Sequence, residues 1–438
     1  MRSIHHLVNH TSLAVYQAPP VSRATSPPLN LAGLGLGPKL VGEQFQSENR
    51  SASHYHASPR AATTAMAPPP PPPPLMEELE EEVLLRFPPH EPALLIRASL
   101  VCKRWRRLLS GPAFRRRFRE LHRTPPILGL LCNIADGDST ACFVPMVSAF
   151  RVPDADLGLR RALDARHGRV LLQCRREGSG NLAAGSALMV WDPITGEQQE
   201  LSIPLRCMFS WTAAILCAAC DHLDCHRRPF LVVFVGSGSG KAFICTYSSD
   251  AGIWSEPIAR EQPNDYIDLM SSVLVGNALY FGFLLGKLLL KYDLETRQMS
   301  VIGLPFANSV AFWRPVVLHN GLELATMHGS KLCMWSQNGV QAGWIENRVI
   351  ELETLLPSDA FFTSHDHDVV GFADGIGVIF LRERSGHAIF TIDLKTCKVK
   401  KVSEGKNIHS VVPYMSFYTP ALGAACTDEG SSVWASGA

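Results

Sequence analysis

The chain has 438 residues, 46% of them hydrophobic, and a net charge of +1. That length exceeds one ordinary core, so two or more units are expected, with ample apolar material for a large globular part. The near-neutral balance excludes a whole-chain field for nucleic acid or anionic membrane, and no run of about 18 apolar residues offers a transmembrane span.

Residues 1–74 are rich in Ser, Pro, Ala, Gly and His and close with seven prolines, Pro68 to Pro74. Such a run supplies no backbone N–H donors and favours an extended polyproline II spacer. The whole segment reads as a disordered extension. Its first acidic residue is Glu43, which weakly resembles a transit peptide, but the arginines are few and no amphipathic stripe is evident. Met1 to Asn9 lack the apolar core of a secretory signal. Twelve cysteines are scattered along the chain. Cys132, Cys142, Cys174, Cys245 and Cys333 sit in apolar strand-like runs, as buried thiols of a reducing compartment do.

From Leu75 the pattern is helical. Leu75, Leu79, Val83 and Phe87 recur every four residues and share one face. Glu77, Glu78, Glu80, Glu81 and Glu82 fill the others, and acid in the first turns suits the helix dipole. Pro88-Pro89 stops this helix. A second is predicted from Pro92-Ala93 to Gly111-Pro112, with Leu94, Ala98, Val101, Trp105 and Leu108 at helical spacing. A third, Ala113 to His122, presents Phe114, Phe118 and Leu121 on one side and Arg115, Arg116, Arg117 and Arg119 elsewhere. Thr124-Pro125-Pro126 breaks the chain.

Beyond Pro126 short β-type runs alternate with Gly, Asp, Asn and Ser turns, as in Arg169–Cys174, Phe230–Val235 and Val378–Leu381. A weak repeat is visible. Val190-Trp191-Asp192-Pro193-Ile194-Thr195-Gly196 recurs as Thr246-Tyr247-Ser248-Ser249-Asp250-Ala251-Gly252, as Lys291-Tyr292-Asp293-Leu294-Glu295-Thr296 and as Thr391-Ile392-Asp393-Leu394-Lys395-Thr396. Met334-Trp335-Ser336 is a degenerate copy. Positions 191, 247, 292, 335 and 392 lie 56, 45, 43 and 57 residues apart. Each copy predicts a strand, a tight turn capped by the Asp or Ser side chain, and a returning strand. About four strands in roughly 50 residues is the period of kelch-like propeller blades. By that period residues 127–438 hold about six blades. The sixth joins Ile127 to Met146 with the C-terminal run Ser410 to Tyr418 and closes the ring. A sandwich or two smaller β domains is the alternative.

The helical tract resembles an F-box, the module that docks receptor subunits onto the Skp1 adaptor of cullin-type ubiquitin ligases. Leu75, Glu78, Leu79, Val83, Leu84, Phe87, Val101, Cys102 and Trp105 match its pattern. Met76 stands where Pro is usual and Glu80 where a second Leu is usual. The tract from Pro88-Pro89 to Leu108 looks especially like F-boxes of grass proteins. The resemblance implies an α+β multidomain chain: a disordered extension (1–74), a small three-helix F-box (75–123) and an all-β propeller of about six blades (124–438). It implies a Skp1-like adaptor and through it a cullin, held by Leu75, Glu78, Leu79, Val83, Leu84, Phe87, Val101, Cys102, Trp105 and Leu108. It further implies an unidentified protein substrate on the propeller, no cofactor or metal, no chemistry performed by the chain itself, and residence in the nucleus or cytoplasm. An F-box scaffold acting outside any ligase and a propeller binding a small molecule remain as alternatives.

Other motifs carry weaker signals. Arg97 to Arg123 hold nine Arg and one Lys against Glu120. Nucleic-acid binding is one reading, but no aromatic side chains interleave to stack bases, so a solvated face complementing an acidic adaptor is favoured. Cys217, Cys220, His222, Cys225 and His226 suggest zinc, yet they are crowded and lie between strand patterns, as an inter-blade loop does. Gly236 to Lys241 lacks the Ser/Thr and the helix of a phosphate loop and reads as a hairpin turn. His365-Asp366-His367-Asp368 reads as a polar turn before Val369 rather than a metal chelate. No nucleophile elbow or zinc-protease motif is present.

Overall fold

A computed structural model of the chain describes residues 77–420, apart from 136–139, 151, 153–156, 176–185, 205–207, 219–224, 262–264, 286, 305–312, 319–320, 338–342, 357–366, 384–387 and 405–406. The N-terminal extension and the transit-peptide likeness therefore lie outside the described residues.

Four helices come first: α1 (Glu77–Leu85), α2 (Pro92–Val101), α3 (Lys103–Ser110) and α4 (Pro112–His122). The single helix expected between Pro92 and Gly111 is thus two. The break is Cys102, whose backbone is extended (φ −156°, ψ 162°) and whose sulfur accepts the Trp105 N–H at 3.4 Å as an N-cap. Helical spacing continues across the break because Ala98 and Leu109, on either side of it, face one core, so periodicity alone hides it. Leu84, Leu85, Leu95, Ala98, Leu109, Phe114 and Phe118 form that core.

The remainder is six antiparallel sheets. The first contains β1 (Ile127–Ile134) and β2 (Thr140–Pro145). The second is β3 (Arg160–Arg166), β4 (Arg169–Arg175), β5 (Ser186–Trp191) and β6 (Gln198–Leu201). The third is β7 (Ser210–Cys217), β8 (Phe230–Gly238) and β9 (Lys241–Ser248), edged by β10 (Ile253–Trp254) and β11 (Ile258–Glu261). The fourth is β12 (Val273–Val275), β13 (Ala278–Gly282), β14 (Leu288–Asp293) and β15 (Met299–Gly303). The fifth is β16 (Trp313–Leu318), β17 (Gly321–His328), β18 (Lys331–Gln337) and β19 (Trp344–Glu351). The sixth is β20 (His367–Ala373), β21 (Val378–Glu383), β22 (Ala388–Asp393) and β23 (Val399–Glu404). The last strand, β24 (Ile408–Met415), returns to the first sheet and pairs with β1 from Ile127↔Met415 to Ile134↔Ile408.

The sheets form a ring, and the expected closure by the C-terminal run is observed. Apolar clusters lie between neighbouring sheets all the way round. Examples are Leu163, Val190 and Phe234 between the second and third, and Val316, Met334 and Phe390 between the fifth and sixth. A sandwich has two sheets and one such interface, so the alternative is excluded. Where β20 passes β24, Gly371 is required: a Cβ there would stand 2.4 Å from the Val411 carbonyl oxygen.

The repeated turns are built as their sequence suggests. Asp192, Asp293 and Asp393 each accept backbone N–H bonds two and three residues on, at 2.8–3.2 Å. Ser248 accepts from Ala251 N–H in the same place. Ser239 and Gly240, at φ 52° and 72°, make the two-residue hairpin between paired Gly238 and Lys241. One expectation fails: His367 and Asp368 lie in β20 rather than in a turn, buried, with Asp368 accepting from Arg382 at 2.6 Å. His365 and Asp366 lie outside the described residues.

Candidate functional site

The helical unit presents apolar side chains outward. Leu79 and Val83 share one face of α1 and are 46% and 52% exposed; Leu100 and Val101, at the end of α2, are 77% and 67% exposed. Large apolar groups held in water on a small unit signal a partner surface. Glu78 and Cys102 are also exposed. Leu84 is different: it is fully buried in the helical core and offers no surface to an adaptor. Phe87, Trp105 and Leu108 pack against the same core while keeping an outer edge. Leu75 lies outside the described residues. Leu100 was missed in the sequence because it stands off the face set by Leu94, Ala98 and Val101; its adjacency to Val101 at a helix end was the only signal.

Three glutamates of α1, Glu80, Glu81 and Glu82, are partners rather than a solvated face. Glu80 accepts the Trp105 indole N–H at 3.0 Å and pairs with Arg104 at 3.2 Å. Arg117 pairs with Glu81 at 2.9 Å and with Glu82, and hydrogen bonding to these carboxylates holds its guanidinium above its ordinary pKa. Part of the basic cluster is therefore committed within the helical unit.

The helical unit and the propeller share a core. Immediately after β24, Phe417 inserts among the helices and meets Phe118 edge-on at 5.9 Å. Its neighbour Ser416 donates its N–H to the Pro126 carbonyl at 3.2 Å. Ser416 Oγ lies 3.3 Å from His226 Nε2, and His226 Nδ1 lies 2.6 Å from Asp192 Oδ2. The order Ser–His–Asp matches a hydrolase triad, but all three residues are buried. The Ser416 hydroxyl also serves Tyr414, and its own N–H is already bonded, so it is not available for an oxyanion. The trio acts as a latch joining three separate segments. Arg169 reinforces it by donating to the His226 and Arg228 carbonyls at 3.0 and 2.6 Å. Gly168, at φ 79°, leaves room for the His226 ring, which a Cβ would meet at 2.4 Å.

The zinc candidates divide. Cys220 and His222 lie outside the described residues. Cys225 and Cys217 are free thiols joined by a hydrogen bond, which together with burial pushes the Cys225 thiol up, and His226 is held as above. Nothing among the described residues gathers three ligands.

The inner strands lead from the helical unit to the opposite end of the ring. Along β24, His409 is six residues from Met415, about 20 Å away. There Arg382 meets Asp368 at 2.6 Å and Arg314 meets Asp268 at 3.3 Å, while Arg161 donates to the Leu269 carbonyl at 3.0 Å. Desolvation, and then the guanidiniums of Arg161, Arg382 and Arg314, push the His409 imidazole down to about 4. Beside this charged mouth, Phe209, Leu269, Leu284 and Leu285 are exposed. Phe209 stands edge-on to Tyr266 at 6.0 Å, and Leu284 donates to the Tyr266 carbonyl at 2.7 Å, so these loops form one continuous patch.

No curated protein matches the chain. Among solved structures, a functionally unknown protein from Desulfotomaculum acetoxidans aligns over 67% of this chain and 88% of its own, at 10% identity and a TM-score of 0.39. The periplasmic gluconolactonase PpgL of Pseudomonas aeruginosa aligns over 64% and 83%, at 12% identity and a TM-score of 0.38. A chain of the nidogen/laminin complex aligns over 65% and 96%, at 12% identity and a TM-score of 0.37. At such scores the fold rests on the strand pairing above. Residues 77–117 match the F-box domain, so the helical unit is an F-box, carried in front of a six-bladed β-propeller.

Proposed function

We propose that this chain is the substrate-recognition subunit of a Skp1–cullin–F-box ubiquitin ligase. The observation that carries the reading is an F-box whose exposed leucines and valines stand on a unit that shares its core with a propeller. In this reading Leu79, Val83, Leu100, Val101 and Cys102 meet the Skp1-like adaptor, with Glu78 and the outer edges of Phe87, Trp105 and Leu108 beside them. Leu84 contributes by shaping the core beneath. The chain performs no chemistry; it supplies proximity between client and ligase. A protein client docks on the face away from the F-box, around Phe209, Tyr266, Leu284 and Leu285, where exposed apolar groups surround a charged channel mouth. Buried free thiols suit the nucleus or cytoplasm. The test is affinity purification of tagged chain under proteasome inhibition. Wild type is expected to bring down Skp1, a cullin and a client. Phe209→Ser with Leu284→Ser keeps the first two and loses the client. Recovery of the adaptor without any cullin would instead favour an F-box scaffold outside a ligase.

A further inference from the structure

A cavity of about 470 Å³ opens where the F-box meets the propeller and extends along the central channel as far as Arg314. That volume lies in the range of about 300–1,000 Å³ that drug-sized ligands occupy. Its walls come from both units: Arg119 and Arg123 from the end of the F-box, inner-strand residues of the propeller, and the segment running into Phe417. Leu274, Val370, Phe372, Val412 and Met415 give it a broad apolar surface.

The charges on that surface are unevenly committed. Four arginines line it against two aspartates. Arg166 is spent on Asp164 and on the Ser272 carbonyl. Arg314 reaches Asp268, which is not part of the wall, and its buried Nε has no hydrogen-bond partner among the described residues. Arg123 makes no side-chain hydrogen bond or ion pair among the described residues. It is held at φ 57° and ψ −49°, and the Thr124 N–H closes onto the His122 carbonyl at 2.6 Å. This tight γ-type turn is a rare and strained conformation for a side-chain-bearing residue. Local strain of this kind concentrates at ligand-binding positions. Of the two aspartates, Asp164 is enclosed and already accepts from Ile215 and Ala165 N–H. Asp374 is exposed and faces Arg166.

We propose that this cavity binds a small apolar molecule carrying one acidic group, with the acid on Arg123 and the apolar body against Leu274, Val370 and Met415. A cation would meet the arginines unfavourably. A neutral molecule would make no use of the charge of Arg123, which stands exposed at the rim. Such a ligand touches F-box and propeller at once, so it would stiffen their junction. The proposal does not rest on the ligase reading.

The probe is 1-anilinonaphthalene-8-sulfonate, an apolar body with one anionic head, titrated by fluorescence into the full chain. Its uncharged counterpart, N-phenyl-1-naphthylamine, serves as the comparison. One saturable sulfonate site is expected. Arg123→Gln weakens the sulfonate about tenfold and leaves the uncharged dye unchanged, while Met270→Trp, which fills the cavity, removes both. Thr124→Trp fills it from the F-box side should Met270→Trp fail to fold by circular dichroism. Sulfonate binding that is unaffected by Arg123→Gln, or that survives a folded cavity-filling variant, would overturn the proposal.

Discussion

At the scale of single residues, Glu80 departs from the usual F-box pattern and the structure supplies the reason. Its carboxylate takes the Trp105 indole N–H and the Arg104 guanidinium and is largely shielded from water. Glu80→Ala leaves a half-buried indole donor unpaired, so a loss of about 1–2 kcal/mol is expected in denaturant unfolding. Glu80→Gln, which keeps the acceptor, is expected to lose less. His409 gives a prediction of a different kind. Its pKa falls from an ordinary 6.5 to about 4 in the folded chain. Above pH 6.5 the imidazole is neutral in both states and contributes no pH dependence. Between 6.5 and about 4 the unfolded chain binds a proton that the folded chain refuses, so stability declines as pH falls through that window. His409→Gln is expected to flatten the melting temperature across this window, and an unchanged profile would show that other groups set it.

At the scale of elements, legibility followed locality. The turns at Asp192, Asp293 and Asp393 were readable because the capping carboxylate and the amides it binds lie within three residues of each other. The break at Cys102 was not, since the same apolar spacing serves one helix or two. Nor was the placement of Phe417, whose partner Phe118 lies some 300 residues away along the chain. The run Ser410 to Tyr418 did announce a closing strand, but strand alternation carries no sign that the residue beyond it enters another unit's core. Phe417→Ala is expected to cost about 3–5 kcal/mol, the range for emptying a buried aromatic site. Loss of amide-exchange protection in α4 and around β24 together would mark the shared core. Loss confined to β24 would mean the two units are only abutted.

At the scale of the whole molecule, ring closure and core sharing fix where things lie. β24 closes the propeller, and the two residues after it enter the latch and the F-box. The exposed F-box leucines and the far channel mouth are thus tied to one frame, with no free linker to blur the distance between adaptor and client. The blade count and the closure were readable from a period near 50 residues. The identity of a client was not, because loops at a propeller face carry no period. The most direct test of this account is the affinity of the full chain for purified Skp1 by calorimetry, for wild type and for Leu100→Asp with Val101→Asp. These side chains are exposed, so the double variant is expected to keep its melting temperature. Tight binding by wild type and a loss of at least a hundredfold in the variant are expected. No binding by folded wild type, or equal binding by both, would contradict it.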